Sequence, residues 1–281
     1  MFDVLPDRET GICFTNSISY TEEFNPYTYR NFFNGGGVAS GDINNDGLPD
    51  LFFCGNQVSN RLYLNKGNFR FEDVTATAQL QTQNVWSTGA SMVDINADGW
   101  LDIYVCKSGN PDGQRRFNEL FINNQDGTFT EQAKQYGLDN IGLSSHAVFF
   151  DYDRDGDLDC YLLNNSFRPV GRYDIVKDQR MIPDTLGGNK LLRNDNNQFI
   201  DVSAEAGIYT SAIGFGLGVS VSDINNDSWP DLYVSNDFFE RDYLYINNQD
   251  GTFSEELIER ISEISLNSMG ADIADVNNDG A

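Results

Sequence analysis

Basic residues are scarce in this chain: 18 Lys and Arg stand against 43 Asp and Glu in 281 residues, for a formal charge of −25. A surface of that sign repels phosphate, so nucleic acid is not a partner. It also strains a compact fold by self-repulsion, which bound cations would relieve. Histidine is nearly missing, with His146 alone. A Ser-His-Asp or Cys-His system would have to use it. No G-x-S-x-G turn and no phosphate loop is present. No apolar run approaches the roughly 18 residues of a transmembrane helix. The start, Met1-Phe2-Asp3-Val4, has neither the basic residues nor the apolar stretch of a signal peptide. The chain is therefore cytosolic, or a signal has been removed from it.

Cysteine is sparse too: Cys13, Cys54, Cys106 and Cys160, in no zinc-binding spacing. Cys54 and Cys106 fall at equivalent places in successive repeats, where neighbouring sheets are roughly 10 Å apart. A disulfide needs Cα atoms within about 7 Å, so mostly free, buried thiols are expected.

What the sequence has in quantity is aromatic residues (13%) and a repeat. The pattern Asp-x-Asn/Asp-x-Asp-Gly-x-x-Asp occurs at residues 42–50 (DINNDGLPD), 94–102 (DINADGWLD) and 151–159 (DYDRDGDLD). It returns at 223–231 (DINNDSWPD) and starts a fifth time at Asp275 (DVNNDGA). A small-residue strand precedes each loop, as in STGASMVD, and an apolar strand follows, as in DIYVC. Then come hairpins such as ELFINNQDGTFTEQA, whose Lys66-Gly67, Asp126-Gly127 and Asp250-Gly251 turns suit tight connections. Each unit thus reads as four short strands, A to D, with the Asp-rich loop between A and B. That is the size of one β-propeller blade.

The predicted fold is all-β, a single propeller domain over residues 1–281. Residues 1–36 form a closing strand and connection; blades follow at 37–79, 89–136, 146–206 and 217–258, and a fifth begins at 270–281. The N-terminal FDVL resembles the D strands FEDV and FIDV and would complete the last blade. The interrupted fifth loop is what a piece of a larger ring would show. One helix of one to three turns is expected within residues 255–264.

Every side chain that the loop pattern fixes as a ligand is a hard oxygen donor, as calcium prefers; thiol and imidazole are missing, which disfavours zinc and copper. Magnesium ranks second because it usually keeps several waters. About one calcium per complete blade is expected. Positions 1, 3, 5 and 9 supply side-chain oxygens and position 7 its carbonyl. The expected ligands are Asp42, Asn44, Asp46, Leu48 and Asp50; Asp94, Asn96, Asp98, Trp100 and Asp102; Asp151, Asp153, Asp155, Asp157 and Asp159; and Asp223, Asn225, Asp227, Trp229 and Asp231. Asp153 adds a carboxylate to the third loop. Ser228 replaces the glycine of the fourth, where a left-handed residue is needed, so that site is expected to be weaker. Turn formation alone would account for Asp, Asn and Gly here, but leaves the constant position-9 Asp unexplained.

These residues resemble FG-GAP/VCBS repeats, which build the propeller of integrin α subunits and of many bacterial surface proteins. The segments NELFINNQDGTFTEQA and HAVFFDYDRDGDLDCYLLNNSF look like those of large secreted or lipid-anchored bacterial proteins, often followed by an ASPIC/UnbV domain. The resemblance implies a seven-bladed propeller in the complete protein, calcium loops on one face, an extracytoplasmic location and further domains beyond Ala281. Gly216-Leu217-Gly218 and Met269-Gly270-Ala271-Asp272 only partly echo the FG and GAP tags.

If A–B loops and C–D turns share one face, the long segments 11–36, 107–119, 165–188 and 203–214 lie on the other. They hold Arg30, Lys107, Arg115, Arg116, Arg168, Arg172, Lys177 and Arg180, with Tyr20, Phe24, Tyr27, Tyr29, Phe117, Phe167 and Tyr173. Binding residues concentrate on such loops, and Arg beside aromatics suits glycans, anionic sugars or an acidic protein. Candidate ligand contacts are Arg115, Arg116, His146, Arg168, Arg172 and Tyr173. His146 stands where the other repeats have Gly37, Gly89, Gly218 and Gly270, so its ring would point to the central channel. The alternative to packing or binding is catalysis: a calcium-assisted polysaccharide lyase using Arg172 or Lys177. A binding or adhesion module for glycans or proteins is the favoured reading.

Overall fold

The computed structural model describes residues 4–82, 86–109, 116–166, 168 and 179–277. The chain is all-β and divides into two compact units, Met1–Ile141 and Gly142–Ala281. The first holds β1 (Val38–Gly41), β2 (Asp50–Phe53), β3 (Arg61–Asn65) and β4 (Phe71–Asp73), then β5 (Ser87–Val93), β6 (Asp102–Lys107), β7 (Glu119–Asn123) and β8 (Phe129–Glu131). The second holds β9 (Ser144–Phe150), β10 (Asp159–Asn164), β11 (Lys190–Asn194) and β12 (Phe199–Asp201), then β13 (Gly216–Ser222), β14 (Asp231–Asn236), β15 (Tyr243–Asn247) and β16 (Phe253–Glu255).

Each set of four consecutive strands forms one antiparallel sheet in chain order. Four such sheets are consistent with the blades of a propeller-like fold. Short loops dictate this order, because antiparallel neighbours are what tight connections can join. The B strands are apolar in their middle, and in β6 and β10 every residue is buried, the terminal Asp, Lys and Asn included. That pattern requires both faces of the sheet to be covered.

In the first unit, Phe52, Leu62, Ile103, Val105 and Phe121 pack in one cluster. In the second, Tyr161, Leu191, Leu232, Val234 and Tyr245 do the same. Each such side chain contributes about 1.5–3 kcal/mol on burial. The first strands of adjacent sheets approach closely: a Cβ at Gly37 would lie 2.8 Å from the Gly89 Cα.

Several expectations need correction. The single turn Leu257–Arg260 falls within the expected span 255–264, but four-residue helices that were not expected occur at Asp7–Thr10 and Ala133–Tyr136. Of the FDVL segment, Phe2 and Asp3 lie outside the described residues, while Val4 and Leu5 are exposed and in no strand. Residues 268–277 form no fifth A strand, although Ser220 Oγ donates to the Ala271 carbonyl at 2.8 Å. All four cysteines are free thiols, but Cys13 is exposed while the other three are buried. Burial pushes the Cys54 thiol up to about 12.

Candidate functional site

The four Asp-rich loops close in the same way. In the first, Asp42 accepts the N–H groups of Asp46 at 3.0 Å and Gly47 at 2.7 Å. Asn44 Oδ1 also accepts Asp46 N–H, and Asp46 accepts Leu48 N–H at 2.9 Å. The same bonds recur around Asp94, Asp151 and Asp223. Position 6 has positive φ in every loop: Gly47, Gly99, Gly156 and Ser228. Position 4 does as well, at Asn45, Ala97, Arg154 and Asn226. That second left-handed residue has no glycine to announce it.

Position 9 has a structural task that the sequence did not disclose. Asp50 is fully buried; its Oδ2 accepts Ile43 N–H at 3.0 Å and its Oδ1 accepts Asn65 N–H at 2.7 Å. Asp102, Asp159 and Asp231 bind the equivalent pairs. The constant Asp is therefore explained without a metal, as the pin between the loop and strand C. Burial is also the main cause that raises these carboxyls, those of Asp102 and Asp159 to about 7. Each carboxylate oxygen keeps a lone pair after accepting one N–H, so the pin and a cation are compatible.

The partners of these aspartates, Asn65, Asn123, Asn194 and Asn247, were missed. Each ends a C strand, and each amide nitrogen donates to the carbonyl just before the position-9 Asp. Their signal is plain in RLYLN, ELFIN, KLLRN and YLYIN, where an Asn closes every C strand.

The donor set fits a hard divalent cation. In the third loop, carboxylate oxygens of Asp151, Asp153 and Asp159 lie within 4.8 Å of one another. Asp153 is raised by burial and then by the charges of Asp155 and Asp151. In the other loops the position-3 residue is Asn, whose amide donates to the position-5 carboxylate: Asn44 to Asp46, Asn96 to Asp98 and Asn225 to Asp227. Asp227 is held below the usual carboxylate range, chiefly by the Trp229 N–H. The loops share their end of the sheet with the C–D turns: Gln125 donates to Asp98 and Gln249 to Asp227.

The opposite end differs from the expected basic, aromatic face. Lys107 is buried in an ion pair with Glu119. Arg116 is buried, and its Nε donates to the Ile141 carbonyl at 2.8 Å. Arg180 pairs with Glu240, which also accepts the Tyr243 hydroxyl. Lys107 and Arg116 hold loops instead of facing solvent, because a buried charge needs a partner, and the partly exposed Arg180 reaches the buried Glu240. Phe24, Tyr29 and Phe32 pack around Trp86 with ring centroids 5.0–5.5 Å away, and Tyr29 bonds Ser108 at 2.8 Å. His146 is half-buried within β9, and desolvation lowers its pKa. Arg168 is exposed, while Arg115, Phe167, Arg172, Tyr173 and Lys177 lie outside the described residues.

What this end does expose is a cleft of about 540 Å³ lined by Tyr20, Glu22, Asn25, Pro26, Tyr27 and Phe33. Tyr20, Tyr27 and Phe33 are 74%, 100% and 68% exposed. Asn25 shapes it by donating to the Thr21 and Glu22 carbonyls and accepting Tyr27 N–H. Among the described residues no helix is long and apolar enough to cross a membrane.

The chain is 24% identical over 228 residues to cartilage acidic protein 1 of Xenopus tropicalis, covering 80% of this chain and 31% of that protein. For the Mus musculus protein of the same name the identity is 26% over 263 residues, with 87% and 38% covered. The chain thus spans about a third of the length of the curated relatives it matches. Among solved structures, an Agrocybe aegerita lectin that recognises non-reducing terminal N-acetylglucosamine aligns with a TM-score of 0.40 at 17% identity, over 76% of this chain and 50% of that one. The V. cholerae biofilm matrix protein Bap1 aligns with a TM-score of 0.32 at 13% identity, over 77% and 38%. A sequence model of the FG-GAP-like repeat matches residues 42–105, 106–162 and 223–281. With the repeat recognised three times across well over half of its length, the chain belongs to the FG-GAP-like repeat family.

Proposed function

We propose that this chain is a calcium-stiffened, extracytoplasmic binding module that offers the variable loop end of its sheets to a glycan or protein. The observation that carries the metal reading is the third loop, where three carboxylates converge within 4.8 Å. Like charges at that spacing repel. A divalent cation would offset the repulsion and hold the A–B corner closed. Positions 1, 3, 5 and 9 of each loop would hold it, with the position-7 carbonyl. Oxygen-only donors in a flexible loop favour calcium over magnesium.

The binding reading rests on the exposed aromatic cleft. Surface aromatics of this extent are where partners gain most contact energy. In a longer parent, these sheets would be blades of a seven-bladed ring. The extracytoplasmic reading draws on the relatives, which are named for cartilage and for an acidity that this chain shares.

The test has two parts. Calorimetric titration of the metal-free chain with calcium should give saturable binding of about four ions. A glycan array with and without calcium should then show ligands whose binding weakens in Tyr27→Ala. Failure to take up calcium sinks the first half of the proposal, and calcium uptake with an unaltered array pattern in the variant sinks the second.

A further inference from the structure

Two hydrogen-bonded relays join neighbouring loops. In the first unit, the Oδ2 of buried Asp50 accepts Ile43 N–H at 3.0 Å. The Ile43 carbonyl accepts the Asn123 amide at 2.9 Å, and Asn123 N–H donates to Asp102 at 2.8 Å. The second unit repeats the chain atom for atom. Asp159 accepts Tyr152 N–H at 3.1 Å, the Tyr152 carbonyl accepts the Asn247 amide at 2.8 Å, and Asn247 N–H donates to Asp231 at 2.8 Å. Within each unit, the position-9 aspartates of the two loops are thus three hydrogen bonds apart, along a buried route.

A second strap crosses each pair on the solvent side. Asn45 Nδ2 donates to the Gly99 carbonyl at 3.0 Å. Arg154 donates to the Ser228 carbonyl, with its guanidinium 4.7 Å from the centre of the Trp229 ring. Both straps run from position 4 of one loop to position 6 of the next. Both donors sit in the left-handed region, with φ of 58° and 62°. Each strap therefore forms only when both loops have adopted their closed shape.

We infer that the loops bind cations as coupled pairs, first with second and third with fourth, so that filling one raises the affinity of its neighbour. This rests on the calcium reading above. An ion that closes one loop fixes the strap and the relay, and so lowers the ordering cost of closing the next. Charge does not oppose the coupling. The first loop brings Asp42, Asp46 and Asp50 to one dication and stays net negative when filled. Asn45, Asn123, Arg154 and Asn247 are positioning residues in this scheme.

Terbium is the probe, because Trp100 and Trp229 occupy position 7 of the second and fourth loops and can sensitise its emission. In the full chain carrying Trp229→Phe, tryptophan-sensitised terbium emission reports the second loop. Disabling the first loop with Asp42→Asn and Asp46→Asn should raise the terbium midpoint of the second about fivefold or more, the range of an ordinary coupling. Asn45→Ala, at an exposed position outside the ligand set, should give part of that shift with an unchanged circular dichroism spectrum. A midpoint that stays within twofold in both variants overturns the coupling and leaves the metal reading standing. A chain without sensitised emission at saturating terbium overturns both.

Discussion

At the end of the sheets that carries the A–B loops, four segments make the same hydrogen bonds, down to the Asn that closes each C strand. At the opposite end the fastenings change from sheet to sheet. Asn56 ties the Gly35 and Ser87 carbonyls in one place, a buried Lys107–Glu119 pair serves in another, and Arg180–Glu240 in a third. Uniformity at one end means that a single local solution, written in nine residues, is enough to turn each corner. Variety at the other means that those loops are free to differ once the corner is secure. On the proposed function, the same division separates stability from recognition, and it can be attacked from either side.

The largest expected effect is metal removal. If four sites each contribute about 2–3 kcal/mol under saturating calcium, EDTA should lower the melting temperature by more than ten degrees in differential scanning fluorimetry. Restoring calcium should reverse the change. An unaltered curve would reduce the uniform end to turn chemistry. Next comes Trp86→Ala, which removes the ring that Phe24, Tyr29 and Phe32 pack against. It should cost about 3–5 kcal/mol in urea denaturation yet keep the calcium increment, because the damage lies at the variable end.

Asp159→Asn should cost about 1–3 kcal/mol even without metal. The new amide sets a donor against the N–H of Tyr152 or Asn194, both of which need an acceptor. Asp157→Asn, two residues away and not in that pin, is the control, and equal losses in the two would deny the position-9 pin. Ser228→Gly should gain about 1 kcal/mol, since Ser228 holds φ of 72° where a side chain is disfavoured. The readout is a melting temperature raised by a few degrees. The smallest effect on stability is Tyr27→Ala, within about 0.5 kcal/mol for a fully exposed side chain. A larger loss would make Tyr27 part of the scaffold and not of the cleft.

The sheets were legible because a nine-residue motif and its apolar flanks recur, so strand order followed from loop length. The loop conformation was half legible. Glycine marks position 6, but at position 4 only Asn45 and Asn226 hint at a second left-handed residue, and nothing in Ala97 or Arg154 marks one. The role of the position-9 Asp escaped because its partners are backbone N–H groups, which have no letter in a sequence. At the variable end, a charged residue in a loop reads as a surface residue. Whether Lys107 meets Glu119 or solvent depends on the distance between two strands. The Trp86 cluster was hidden because Trp86 lies more than fifty residues from Phe24, Tyr29 and Phe32 and no period links them.

The D strands carry one further consequence. Each is three residues long and holds a Phe followed closely by Asp or Glu: Phe71–Asp73, Phe129–Glu131, Phe199–Asp201 and Phe253–Glu255. A sheet edge recruits a foreign strand through a row of unpaired N–H and C=O groups, and short, charged edges are poor templates. Sheets with such margins resist stacking into fibrils when molecules are crowded. A protein rich in β-structure can then reach high local density and stay dispersed.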